Sequence, residues 1–266
     1  MNQKAKKILA HGYLWLLLLI LYAPIAVIFI FSFTTNKVLG NWSGFSLELY
    51  HSLLTGHASA ALNSAILNTF IIAFIAATIS TLLGTISAIG IYNLKNRDRK
   101  IISFVNSIPM INPDIITGIS LFLLFVFIGL EGGYTTIILS HVAFCTPYVI
   151  LSVMPRLTKM NPNTYEAALD LGATPAQALR KILLPELKPG MVSGFVLALT
   201  LSIDDFAVTL FTKGSGGIET LSTFIYADAR KGGLTPELRP LFAIIFIVIL
   251  GLLIFFNWKA YKDSKQ

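Results

Sequence analysis

Cysteine occurs once in 266 residues, as Cys145 inside an apolar run, so no disulfide framework exists and no redox compartment is signalled. By residue type Cys145 reads as a small buried hydrophobe. Charge is also scarce: Asp, Glu, Lys and Arg make up 12% of the chain, against ~25% in a soluble globular domain. That shortage argues against a soluble domain. Patterns that carry chemistry are missing too. No G-x-x-x-x-G-K-[ST] run occurs, so any phosphate-cradling loop would have to come from another chain. His141 has no second ligand at metal spacing, and no Ser-His-Asp or Cys-His arrangement is visible. The chain is therefore expected to hold no metal or cofactor and not to be an enzyme. A net charge of +7 is not a nucleic-acid footprint here, because the basic residues sit at the ends of apolar runs and do not interleave with aromatics.

What the chain does have is apolar length: 55% of residues are hydrophobic and the mean hydropathy is +0.75. At ~20 residues per span, six spans use about half of the chain. Six stretches stand out, at about 11–33, 62–92, 113–130, 134–154, 190–212 and 240–258. The expected fold is all-α: a polytopic membrane protein with six transmembrane helices, one transmembrane domain over 1–266. The first stretch is too long for a secretory signal core and lacks a small-residue cleavage pattern, so it reads as an uncleaved span. The third begins earlier, near 101, but IPMINPDII interrupts it. Neither Pro109 nor Pro113 sits easily inside a helix. An interfacial segment is expected to end near Pro109, with a new helix starting at Pro113 and Asn112 as its cap.

Lys and Arg set the orientation. The N-terminus, the loops after the second and fourth spans and the C-terminus together carry fifteen, and the opposite side five. By the positive-inside rule both termini are cytoplasmic. Of the outer loops, 41–56 and 218–233 are amphipathic and aromatic, while 131–134 is a tight turn. Trp42, Phe45, Tyr50, Phe224 and Tyr226 there read as interface anchors, or as rings that stack on a cationic ligand.

Between the fourth and fifth spans lies EAALDLGATPAQALRKILLPELKPG, residues 166–190. Asn161 and Pro162 read as a cap and first helical position, and Gly172 as a left-handed terminator. Thr174 and Gln177 are spaced as a capping box for a second helix, which Pro185 is expected to stop near 183. Each helix is too short to stand alone in water. Tyr165, Ala168 and Leu169 form one apolar stripe, and Leu179, Ile182 and Leu183 another. Such stripes want a partner surface. On pattern alone it is either another protein, or this chain's own spans and lipid headgroups, with Arg180 and Lys181 toward phosphates.

The same stretch reproduces E-A-A-x3-G-x9-I-x-L-P, from Glu166-Ala167-Ala168 through Gly172 to Ile182-Leu183-Leu184-Pro185. It thereby resembles the EAA loop of type I ABC importer membrane subunits. IPMINPDIITGISL, SHVAFCTPYVI and ALTLSIDDFAVTLF are similar to permease subunits of spermidine/putrescine importers. The resemblance covers nearly the whole chain and implies a permease of a bacterial inner membrane. It implies that the loop at 161–185 is a coupling helix seated in an ATP-binding cassette ATPase subunit. Tyr165, Glu166, Ala167, Ala168, Gly172, Leu179, Ile182, Leu184 and Pro185 would make that contact. A second related permease, an extracytoplasmic polyamine-binding protein and membrane lipid are the other implied partners, and nucleic acid is not one.

Asp204 and Asp205 lie ~20 Å of helix rise past Gly190, well inside the fifth apolar stretch. An aspartate there costs about 2.5–3.5 kcal/mol on the insertion scale and is functional by default. Neighbouring helical positions point about 100° apart, so one acid would line a path while an adjacent span holds the other. A structural role for both is the alternative. Asp114, at a helix start, reads as a group complementing the helix dipole, or as part of a gate on the path. Lys and Arg are absent from the apolar cores, which favours a cation over an oxyanion; ferric ion and a proton- or cation-coupled secondary transporter remain the other readings.

Overall fold

The computed structural model describes residues 3–36, 40–55, 59–161 and 163–263. Pro162, the expected first residue of the loop helix, and Lys37 and Lys265 of the basic-residue tally lie outside them. The described residues form helices and connecting turns, with no strand. In order these are α1 (Gln3–Phe31), α2 (Glu48–Leu54), α3 (Ala60–Tyr92), α4 (Asn96–Ile111), α5 (Asp114–Phe127) and α6 (Tyr134–Lys159). They continue with α7 (Asn163–Asp170), α8 (Pro175–Ala178), a π-turn over Leu179–Leu183, α9 (Leu184–Asp204), α10 (Ala207–Thr212), α11 (Leu221–Arg230) and α12 (Leu238–Asp263).

Among the described residues, four helical segments are long and apolar enough to cross a membrane: His11–Phe31, α3, α6 and the continuous run Pro175–Asp204. The pair α4 and α5 makes a fifth if counted as one broken span, bent by 103°. The described apolar part of α12, Leu238–Gly251, is shorter.

The break between α4 and α5 lies at Asn112 and Pro113 and differs in detail from the expected one. α4 runs through Pro109 to Ile111. Asn112 is extended, with ψ 138°, and Pro113 rather than Asn112 takes the cap position, with no side-chain cap hydrogen bond. The cause is local: a residue before proline is pushed out of the helical region. Asn112 obeys that constraint, so the chain turns there.

The chain divides into two compact units. The first, residues 1–63 with 225–266, packs α1 against α12 and carries α2. Its loop after α1 is closed by side chains. Ser32 Oγ lies 2.6 Å from the Tyr50 hydroxyl, and Phe33 stacks on both Phe45 and Tyr50. Arg239, 2% exposed, donates to the Asn36 carbonyl at 2.7 Å.

The second unit, residues 64–224, is built around α6. α6 packs closely on its neighbours because they carry glycine where it passes. A methyl on Gly84 of α3 would lie 2.7 Å from Val149, and one on Gly194 of α9 would lie 3.1 Å from Val149 Cγ1. Without a hydrophobic drive between helices in lipid, such small-residue seams let dispersion contacts hold spans together. α5 meets α10 the same way: a methyl on Gly118 would lie 3.1 Å from the Ala207 carbonyl.

Candidate functional site

Two places in the second unit carry the residues singled out by the sequence. The first is the elbow of α7 and α8. α7 ends in a Schellman turn: Gly172, at φ 87°, donates to the Leu169 carbonyl and Ala173 donates to that of Ala168. Positive φ costs a side chain 1–2 kcal/mol or so, which is why glycine stands there. Thr174 then caps α8. Its hydroxyl accepts from the Gln177 N–H at 3.3 Å, and its own N–H donates to Gln177 Oε1 at 3.0 Å. The expected capping box is therefore formed.

Pro185 does not stop this helix. The Leu184 N–H donates five residues back, to Leu179, and the helix continues into α9. Proline lacks an N–H and its ring crowds the carbonyl four residues before it. Widening the preceding turn to the π register takes up that conflict without ending the helix.

The two apolar stripes are divided between inside and outside. Ala168, Ala178 and Leu183 are buried within this chain, Leu183 in a cluster with Ile91, Leu157 and Leu187. Leu183 is thus taken up by this chain's own spans, one of the two surfaces its stripe allowed. Tyr165, Leu169, Ile182 and Leu184 are half-buried, while Glu166, Ala167, Gly172, Leu179 and Pro185 are exposed. Leu171 is 89% exposed. Tyr165, Glu166, Pro175 and Leu179 line an open groove of about 450 Å³ together with Tyr92 and Asn93 at the end of α3.

The second place is the end of α9. Asp204 and Asp205 were expected within one helix, but α9 ends at Asp204. Asp205 is extended, with ψ 131°, and α10 starts at Ala207. The Asp205 carboxylate causes the restart, accepting from the N–H groups of Val208 at 3.2 Å and Thr209 at 2.8 Å. It also accepts from the Thr209 hydroxyl at 2.7 Å. The Ser222 hydroxyl donates to the Asp205 carbonyl. Helix α6 supplies His141, whose Nε2 lies 2.9 Å from Thr209 Oγ1 and 3.4 Å from Asp205 Oδ2, while Nδ1 lies 2.6 Å from Ser202 Oγ.

The two acids thus differ sharply. Asp205 has a side chain only 5% exposed, whereas Asp204 is exposed. Asp114 is exposed at the first position of α5, one turn before the Gly118 that packs on α10, and its charge complements the helix N-terminus. Sequence reasoning missed His141, Ser202 and Thr209 as partners of Asp205. The one local signal was an Asp with a Thr four residues on. No cluster of three His, Cys, Asp or Glu able to hold a metal occurs among the described residues.

Comparison with known proteins adds a family to this geometry. Residues 80–265 match the family described as binding-protein-dependent transport system inner membrane component. The chain is 35% identical to the spermidine/putrescine transport system permease protein PotC of Haemophilus influenzae, covering 92% of this chain and 94% of that protein. It is 37% identical to the putrescine transport system permease protein PotI of Escherichia coli K12, covering 90% and 85%. Among solved structures, a chain of a bacterial ABC transporter that imports the acidic polysaccharide alginate aligns with a TM-score of 0.69 at 16% identity, over 98% of both chains. A chain of the inward-facing MetNI methionine ABC transporter aligns at 0.55 and 20% identity, over 76% of this chain and 95% of its own. These two likenesses show the ABC importer permease fold.

Proposed function

The chain belongs to the family of binding-protein-dependent transport system inner membrane components, and from that premise we propose that it is a permease subunit of an ATP-driven importer of polyamines. As a member of that family it is a transport component of the inner membrane and not an enzyme. The observation that carries the substrate is the identity of 35% and 37%, over nine-tenths of the chain, with permeases named for spermidine and putrescine. An exposed aspartate at the end of an apolar helix agrees with a cationic cargo, because an acid has to meet something polar inside a membrane.

In this reading residues 161–185 are the coupling segment, and the groove at Tyr165, Glu166 and Leu179 receives the ATP-binding subunit. A second, related permease completes the conduit. A polyamine-binding protein delivers the cargo from outside; one of the alginate transporter structures contains a periplasmic protein with bound alginate. Closure of the ATP-binding subunits moves the coupling segments, and the attached helices carry that motion to the acid-bearing break.

The test is uptake of labelled spermidine by membrane vesicles carrying the complete importer. Uptake is expected to require ATP on the side of the ATP-binding subunits, to survive collapse of the proton gradient, and to be competed by putrescine. Uptake that follows the proton gradient and ignores ATP would overturn the mechanism. Transport of an oxyanion or ferric ion with no response to polyamines would overturn the substrate.

A further inference from the structure

We propose that His141 is a positioning residue: it fixes the break between α9 and α10, so that Asp205 serves the fold and Asp204 is left as the acid that meets the cation. The proposal rests on the polyamine-import reading above.

The hydrogen positions follow from the acid outward. A carboxylate only accepts, so the Thr209 hydroxyl donates to Asp205 at 2.7 Å. That hydroxyl has one proton, so at 2.9 Å from His141 Nε2 it must accept, and Nε2 carries a hydrogen. Nδ1, on the other side of the ring, shares a hydrogen bond with Ser202 Oγ at 2.6 Å. A directed chain runs from His141 through Thr209 to Asp205, with Ser202 holding the far edge of the ring. His141 and Thr209 are fully buried and Ser202 is 3% exposed, so water does not compete for these bonds. Ser202 lies before the break and Thr209 after it. His141, from α6, bonds to both and so ties the two sides to a third helix.

This arrangement uses up Asp205. An ionised carboxylate has about four acceptor positions. Three are taken by Val208 N–H, Thr209 N–H and the Thr209 hydroxyl, and His141 Nε2 stands 3.4 Å away. An incoming ammonium group would have to displace the cap of α10 to bind there. Asp204 is the adjacent residue and is exposed. A charge left facing hydrocarbon is costly, so the low-energy place for its carboxylate is a polar conduit.

The test uses the complete importer in proteoliposomes. H141F keeps a ring and removes both nitrogens; H141Q restores a donor toward Thr209. Spermidine uptake is expected to fall by about tenfold in H141F, the scale of a buried hydrogen bond left unmade, and to stay within about threefold in H141Q. A second readout is modification of D204C by a small cationic thiol reagent. Adding H141F is expected to change its rate by about fivefold, because the break then samples other positions.

If H141F does not assemble, T209V against T209S makes the same comparison. Uptake by H141F equal to that of the unsubstituted importer overturns the proposal. So does a D204C rate indifferent to H141F while uptake is lost, since His141 would then be structural only. ATP-driven spermidine uptake by D204N at the unsubstituted rate removes Asp204 from the path. An unsubstituted importer that carries no polyamine ends the substrate reading instead; the D204C rate with and without H141F still decides the positioning role.

Discussion

Val149 of α6 lies against the bare backbone of Gly84 in α3, so closely that a methyl on Gly84 would sit 2.7 Å from both its Cβ and Cγ1. Val149 is fully buried and the Thr146 carbonyl stands 3.2 Å from the same point, so neither side can yield cheaply. G84A is expected to destabilise the chain by about 1–3 kcal/mol, the range for overpacking a core. V149A in the same chain should recover only part of this, because its Cβ and the Thr146 carbonyl remain. Thermal unfolding in detergent measures both; an unchanged midpoint in G84A would show that the two helices part freely.

The capping box makes a local prediction. T174A removes the acceptor of the Gln177 N–H and should cost about 1 kcal/mol, as N-cap losses do. Hydrogen exchange at the amides of 177–179 should then be about fivefold faster, with α6 unaffected. Q177A added to T174A should contribute little more, since the box is already open.

Gly172 has open space around the position of a side chain, so only its φ of 87° resists substitution. G172N should be tolerated, since Asn enters the left-handed region readily; G172V should not, being β-branched. Under the coupling role proposed for the elbow, G172V weakens capture of the ATP-binding subunit from detergent extracts and G172N does so less. Equal capture by both would separate the turn from docking.

The two acids should respond differently to neutralisation. D205N turns an acceptor oxygen into an amide NH2 facing donors, and leaving buried donors unmet costs about 1–3 kcal/mol. D204N alters an exposed group and should shift stability by no more than about 0.5 kcal/mol. Melting of the purified chain distinguishes them without any transport measurement.

Short-range chemistry was legible in the sequence. Thr174 and Gln177 announce the cap, Gly172 announces the turn, and the long apolar runs announce α1, α3 and α6. Two features misled. Pro185 carries the signature of a stop, but a π-turn absorbs it, and which of these happens depends on how the following helix is packed. DDFAV contains neither proline nor glycine, so the only local mark of a break there is the Asp205–Thr209 spacing. The break exists because Asp205 finds donors in the next turn and His141, 64 positions earlier, across a helix interface. Periodicity reports one helix at a time, so a hydrogen-bond relay shared by α6, α9 and α10 leaves no trace in it.

Because the π-turn keeps Pro175–Asp204 in one piece, the 30-residue segment behaves as a crankshaft ~45 Å long. At that length a 10° swing about its Pro175 end sweeps the Asp204 end through roughly 8 Å, well over the ~5.4 Å pitch of a helix turn. Angular play at one tip becomes translation at the other, scaled by that length, with the π-turn, Pro185 and Pro189 as the points between them where the helix can bend.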